Sequence, residues 1–330
     1  MEMQRSLTRW LLPGFLAAVA GCALLAAPVL ASAEPSEEEA SRAVLVTGAS
    51  SGIGRKITER LAADGYFVYA TARKEEDLKA LGAIRNVQSL RLDVTHPADI
   101  AAALESVTKA GRGLYGLVNN AGIVTFGTIA DTTPEEFDLC MKVNVYGPVM
   151  MTKAFEPLII AQKGRIVNIG SVSGILATRD LAAYQMSKHA IEALTDSLAI
   201  QLAPRGVQVS VVEPGAFNSN IVENMFPRLS GDAKTHAQSI WGSDKTRYPE
   251  PDEVAVAVEH ALFEPSPKRR YLVIPRHFTD PINTGLAEQT IRKQLEQLVQ
   301  LNEGQPYTYD RASLVKMLDE ALRTARPRTN

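Results

Sequence analysis

From Ala43 onward the chain alternates short, β-branched apolar runs with longer stretches whose apolar residues recur every three or four positions. Seven runs read as strands: 43–47, 66–70, 87–92, 116–119, 165–169, 207–212 and 271–274. Most are apolar nearly throughout, the pattern of strands buried on both faces of a parallel sheet. Between them Ile57, Leu61 and Ala62, and later Ile191, Leu194, Leu198 and Leu202, fall at helical spacing. This alternation predicts a doubly wound α/β fold, a central, mostly parallel seven-stranded sheet with helices on both faces. Ligands of such sheets bind beyond the carboxyl ends of the strands, where the connections reverse direction.

The two ends of the chain break the pattern. Arg5 and Arg9 precede a stretch, 10–33, without a charged residue, and the acids Glu34, Glu37, Glu38 and Glu39 follow it. That order is an export or anchor pattern. Three forms fit it: a cleaved signal ending at Ala31-Ser32-Ala33, a lipoprotein-like site at Cys22, and an uncleaved anchor, because about 20 apolar residues span a bilayer core. Each predicts a membrane-associated or exported protein, with a cytoplasmic one as the alternative. Past Pro281 two amphipathic stretches, 291–301 and 312–322, have the spacing of helices that cover a pocket mouth, meet a membrane or join subunits.

Composition narrows the chemistry. The chain of 330 residues is 45% hydrophobic and 22% charged, enough for a substantial core. Its net charge of -2, with Lys and Arg scattered, excludes nucleic acid as a partner. Cys22 and Cys140 lie far apart with no Cys/His cluster nearby, so neither a disulfide framework nor a metal site is expected.

Directly after the first strand stands Thr47-Gly48-Ala49-Ser50-Ser51-Gly52-Ile53-Gly54, and a helix pattern opens at its end. Glycines there let the backbone turn tightly and approach a pyrophosphate, whose charge the amides and dipole of a helix N-terminus stabilise. A dinucleotide is therefore the expected cofactor. Further on come Asn119-Asn120-Ala121-Gly122 after the fourth strand, Asn144, Ser171, the run Tyr184-Gln185-Met186-Ser187-Lys188, and Pro214-Gly215 after the sixth strand.

Together, in this order and over about 43–274, these motifs resemble the short-chain dehydrogenase/reductase family, and the stretches around Ser171 and Asn144 look similar to its steroid and retinol members. The resemblance implies a catalytic set of Tyr184, Lys188, Ser171 and Asn144. Tyr184 is the general acid and base. Lys188, one helical turn along, is expected to lower its pKa and to bond the nicotinamide ribose; Ser171 holds the substrate oxygen, and Asn144 positions a proton-relaying water. It also implies a cofactor site of Gly48, Ser50, Ser51, Gly52, Ile53, Gly54, Arg73, Asp93, Val94, Asn120, Ala121, Gly122, Tyr184, Lys188, Pro214, Gly215 and Ser219. Asp93 resembles the acid that contacts adenine. Where the family offers a Thr to the carboxamide this chain has Phe217-Asn218-Ser219, a departure in which Ser219 retains the hydroxyl.

Members that prefer NAD place an acid at the end of the second strand. Here that end reads Ala72-Arg73-Lys74, and Arg73 suits a ribose phosphate, so NADP is favoured over NAD. The variable segment 217–251 contains Ile221, Val222, Met225, Phe226, Ile240 and Trp241 and predicts a lid over an apolar substrate. The expected protein is an oxidoreductase interconverting an alcohol and a carbonyl, a homodimer or homotetramer with the helices of Asn144 and Tyr184 at its interface. A non-catalytic NADP-binding sensor or scaffold is the rival from another class; sugar-nucleotide epimerases are a second, though they space the first glycines more closely. The organisation reads as a signal or anchor segment with an acidic linker (1–40), a catalytic domain with its lid (41–280) and a helical extension (281–330).

Overall fold

The computed structural model describes residues 42–241 and 248–275. Both terminal expectations, the apolar segment 10–33 and the amphipathic stretches beyond 281, lie outside the described residues. Among those described, no helix is long and apolar enough to cross a membrane.

The seven strands form where the pattern places them, shifted by a residue or two: β1 (Ala43–Val46), β2 (Phe67–Ala72), β3 (Val87–Arg91), β4 (Gly116–Asn119), β5 (Arg165–Ile169), β6 (Gln208–Pro214) and β7 (Arg270–Val273). They build one sheet in the order β3-β2-β1-β4-β5-β6-β7, and every pairing is parallel. Parallel neighbours need crossover connections, which the helices α1 (Gly52–Ala63), α2 (Glu75–Gly82), α3 (Pro97–Ala110), α4 (Pro134–Met141), α5 (Gly147–Ala161), α6 (Ala182–Leu202), α7 (Gly231–Trp241) and α8 (Asp252–Phe263) supply.

Strands β1 to β6 divide their side chains between two cores, and β7 adds Tyr271 and Val273 to one of them. Val44 and Val46 face a core completed by Ile57 and Leu61 of α1, Leu78 and Leu81 of α2, and Val254, Val258 and Leu262 of α8. Ala43 and Leu45 point the other way, toward Ile100 and Val107 of α3, Met151, Phe155 and Ile159 of α5, and Leu198 and Leu202 of α6. Burial of large side chains such as Ile57, Leu61, Phe155 and Ile159 contributes about 1.5–3 kcal/mol each. The sheet order reverses between β1 and β4, and the crevice above their carboxyl ends is the switch point, lined by the glycine turn after β1 and by Asn120, Ala121 and Gly122 after β4.

Candidate active site

The turn after β1 is built on glycine for reasons internal to the protein. Gly48 and Gly52 have φ of +65° and +53°, a region that disfavours side chains. A Cβ on Gly54 would overlap the Asn120 amide nitrogen and the Gly48 carbonyl oxygen. Ser51 caps α1 without a side-chain bond, and the first turn holds no acid, so its N–H groups stay open to an anion. That is a good fit for a pyrophosphate.

Thr47, quoted at the head of the glycine motif but given no role there, is the buried anchor of this turn. Its Oγ1 accepts from the N–H groups of Asn120 and Ala121, both at 2.9 Å, and donates to the Val118 carbonyl. Asn120 Nδ2 in turn donates to the Thr47 and Gly48 carbonyls at 2.8 and 3.1 Å. These bonds tie the glycine turn to the end of β4. Thr47→Val keeps the shape, leaves the Asn120 N–H only the Val118 carbonyl at 3.1 Å and takes from the Ala121 N–H its hydroxyl acceptor, and is expected to cost about 2 kcal/mol of stability in a denaturant melt.

One cleft of about 340 Å³ runs from this turn to Tyr184, and it is lined by all of the residues expected to hold a cofactor. At one end Arg73 is 72% exposed and lies 3.6 Å from Asp93. Burial alone would raise the Asp93 carboxyl, but bonds from Thr95 and the charges of Arg73 and His96 outweigh it and hold the group low. The Asp93 carboxylate also serves as a strand-end cap, accepting from the Thr95 N–H and hydroxyl. Ser219 stands against Gly52, its Cβ 2.8 Å from where a Cβ on that glycine would be, so it is placed by the glycine turn.

At the other end α6 carries Tyr184 and Lys188, and Ser171 follows the last residues of β5. The Ser171 hydroxyl bonds the Tyr184 phenol and accepts from the Ser173 N–H at 3.0 Å. Lys188 is 5% exposed and donates to the Ile169 carbonyl at 2.8 Å, with Nζ 5.7 Å from the Tyr184 ring centre. Here the geometry corrects the expected pKa logic. Burial pushes Tyr184 up to about 12, and the bond from Ser171 only partly offsets it. Burial pushes Lys188 down to about 8, against the pull of nearby acidic groups, Glu192 among them. The loss of water, which disfavours either charge, outweighs the attraction expected from helical spacing.

Asn144 is the one expected site residue that does not line the cleft. It is 2% exposed, in a π-helical turn, Lys142–Tyr146, rather than in a regular α-helix. Its side chain clasps the main chain of Ile123, accepting at 2.9 Å and donating at 2.8 Å. Asn144 Nδ2 also reaches Ser187 Oγ at 2.9 Å, and Ser187 donates to the Tyr184 carbonyl at 2.6 Å. Pro148, four residues on, has no N–H, so the Asn144 carbonyl lacks its α-helical donor. A buried chain from Asn119 through Asn168 to Thr195 pins β4 and β5 to α6. Ser187 and Asn119 stand inside quoted motifs that gave them no role, and Asn168 and Thr195 belong to no motif.

The apolar residues of the segment expected to form a lid collect in a third cluster: Met225 and Ala237 with Val124 and Phe126 at its centre, and Ile221, Val222, Phe226, Ile240 and Trp241, together with Tyr184, packed against them. Phe126 meets Trp241 edge to face at 5.2 Å. Arg228 ties this cluster to the rest of the domain, donating to the Val124 carbonyl at 2.6 Å and pairing with Glu136 at 3.2 Å. Among the described residues no His, Cys, Asp and Glu group is arranged to hold a metal.

A family model described as short chain dehydrogenase matches residues 42–229. The chain is 38% identical to the mitochondrial D-beta-hydroxybutyrate dehydrogenase of Bos taurus over 187 residues, 54% of each protein. It is 39% identical to 11-beta-hydroxysteroid dehydrogenase type 2 of Homo sapiens over 197 residues, 56% of this chain and 48% of the relative. It thus spans about half the length of these curated relatives. The solved structure of a metagenomic short-chain oxidoreductase in complex with NADP is 32% identical, with a TM-score of 0.58 and coverage of 71% of this chain and 97% of its own. Because that family model matches more than half of this chain, and the glycine turn, Ser171, Tyr184 and Lys188 share one cleft, the chain belongs to the short-chain dehydrogenase family.

Proposed function

We propose that the protein is an NADP(H)-dependent oxidoreductase that interconverts an alcohol and a ketone or aldehyde on an apolar substrate. The observation that carries this reading is the hydrogen-bonded hydroxyl pair of Ser171 and Tyr184, on the wall of a cleft that continues onto the glycine turn. A bound nicotinamide dinucleotide supplies the hydride. The chain's own part is to bind, orient and protonate. Ser171 donates to the substrate oxygen as charge develops on it, and Tyr184, held protonated at neutral pH, gives that oxygen its proton. Lys188 keeps its charge below about pH 8 and stabilises the phenolate left behind. Because the Asn144 side chain is committed to Ile123, we assign the proton relay to its main-chain carbonyl.

The apolar substrate class rests on Ile221, Val222, Phe226 and Trp241, which pack with Tyr184 over the cleft. Relatives named for a hydroxysteroid and a hydroxybutyrate support a small-molecule alcohol or carbonyl. The test is consumption of NADPH against steroid, retinoid and small aliphatic or aromatic carbonyls, repeated with NADH. Tyr146, Val149, Met150 and Met186, exposed on and beside α5 and α6, are the surface we assign to subunit contact.

The preference for NADP follows from Arg73, at the end of β2 on the cleft wall, where no acid precedes Glu75. Arg73→Ala is expected to raise KM for NADPH about 10- to 100-fold, the loss of charge-assisted bonds, and to leave KM for NADH unchanged. Equal losses with both cofactors would sink the assignment.

A further inference from the structure

Outside the cleft, three acids and two arginines meet where β6, β7 and α6 pack together. Glu213, next to last in β6, is 2% exposed. Glu192 lies on α6 one turn beyond Lys188, and Asp196 one turn further. Arg270 of β7 spans all three, with Nε 3.2 Å from Glu192 and 3.7 Å from Glu213 and a terminal nitrogen 2.7 Å from Asp196. Arg269 stands 3.8 Å from the other Asp196 oxygen. Oε1 of Glu192 and Oε1 of Glu213 are both closed to water and without a hydrogen-bond partner, and the two carboxyl groups flank the same Arg270 Nε. Arg270 carries one positive charge against three carboxyl groups, and two carboxylates shut off from water in one site repel each other, which favours a proton kept by one of the pair. Burial and the charge of Glu192 push Glu213 up to about 8, and Arg270 offsets only part of this.

The pair reaches the site through glycine. Glu192 Oε1 lies 2.9 Å from where a Cβ on Gly170 would stand and 3.1 Å from the same point on Gly174, so its carboxyl fills the space beside both. Ser171 lies between those glycines, and Pro214 and Gly215, which follow Glu213, line the cleft. We propose that Glu192 and Glu213 share one proton and act together as positioning residues, holding the Gly170–Gly174 turn against α6 and so setting Ser171 relative to Tyr184. The inference rests on the roles proposed above for those two residues. The charged groups facing the pair are Lys188 and Asp196 on α6 and Arg269 and Arg270 on β7.

Two arms test it on the full chain. Glu213 has its folded-state pKa raised, so the stability it contributes is complete below the ordinary value of 4.5 and lost as pH rises through about 8. The melting temperature is expected to fall across this window, and Glu213→Gln, which has no proton to lose, is expected to flatten that fall. Parallel profiles overturn the shared proton. This arm needs no turnover, so it is read independently of the reaction proposed.

The kinetic arm uses the carbonyl turned over in the NADPH panel, near neutral pH. Glu213→Gln, which keeps the shape and offers Glu192 an N–H donor, is expected to hold kcat within about 3-fold, whereas Glu213→Ala lowers kcat about 10- to 100-fold with KM for NADPH unchanged. Equal losses in both variants, or a loss in Glu213→Ala carried by KM alone, overturn the positioning role. If Glu213→Ala does not fold, Glu192→Ala is expected to show the same kcat loss, and wild-type turnover in it overturns the proposal.

Discussion

Tyr184→Phe is expected to lower kcat by about 100- to 10,000-fold while the Kd for NADPH stays at its wild-type value. The substitution removes one oxygen and keeps the ring that packs against the third apolar cluster, so the fold and the cofactor end of the cleft are undisturbed. What it deletes is the hydroxyl bonded to Ser171, the one group there that burial holds protonated, up to about pH 12, and thus ready to give a proton at neutral pH. In the wild-type protein the reductive kcat is expected to stay level up to about pH 8 and to fall above it. Lys188 loses its proton there and no longer stabilises the phenolate that proton transfer leaves. Stopped-flow consumption of NADPH for the rate and fluorescence titration for binding separate the two quantities. Wild-type turnover in the variant would remove Tyr184 as the proton donor, whereas wild-type protein that binds NADPH and turns over no carbonyl would transfer the reading to a dinucleotide-binding sensor or scaffold.

The second large effect is expected at Gly54. Gly54→Ala is expected to remove measurable NADPH binding and to lower stability by about 1–3 kcal/mol through overpacking. The added methyl meets two atoms with nowhere to go. One is the Gly48 carbonyl oxygen, which is backbone, and the other is the Asn120 amide, already bonded to the carbonyls of Thr47 and Gly48. Relief requires the turn or Asn120 to move, and either displaces the open N–H groups at the start of α1. Fluorescence titration with NADPH beside a denaturant melt reads both consequences; affinity within a few-fold of wild type would show that the turn does not hold the phosphates.

Much of this was legible in the chain. Strands buried on both faces read as continuous apolar runs, so all seven could be located to within a residue or two without neighbours. The glycine turn was legible because backbone geometry alone demands glycine at Gly48 and Gly52. The order of Asn144, Ser171, Tyr184 and Lys188 was legible as a motif, and so was their family.

What pattern could not supply is whatever depends on partners far away in sequence. The strand order, with its reversal between β1 and β4, depends on crossovers that local periodicity does not encode. Thr47 looks like any strand-end threonine until Asn120 and Ala121 arrive from β4 to use its hydroxyl. Asn144 shared a motif with the cleft residues yet lies behind Ile123, because the π turn before Pro148 directs it there. Helical spacing set Lys188 beside Tyr184 and suggested a lowered phenol pKa, but the depth of burial reversed the direction for Tyr184 and drew Lys188 toward neutrality. Glu192 and Glu213 are ordinary acids in the sequence, and only the packing of β6, β7 and α6 brings their carboxyls together and shuts out the water that would otherwise ionise both. Sequence alone determined the elements and the chemical groups; desolvation and contacts between distant segments, which exist only in the folded chain, decided their protonation and placement.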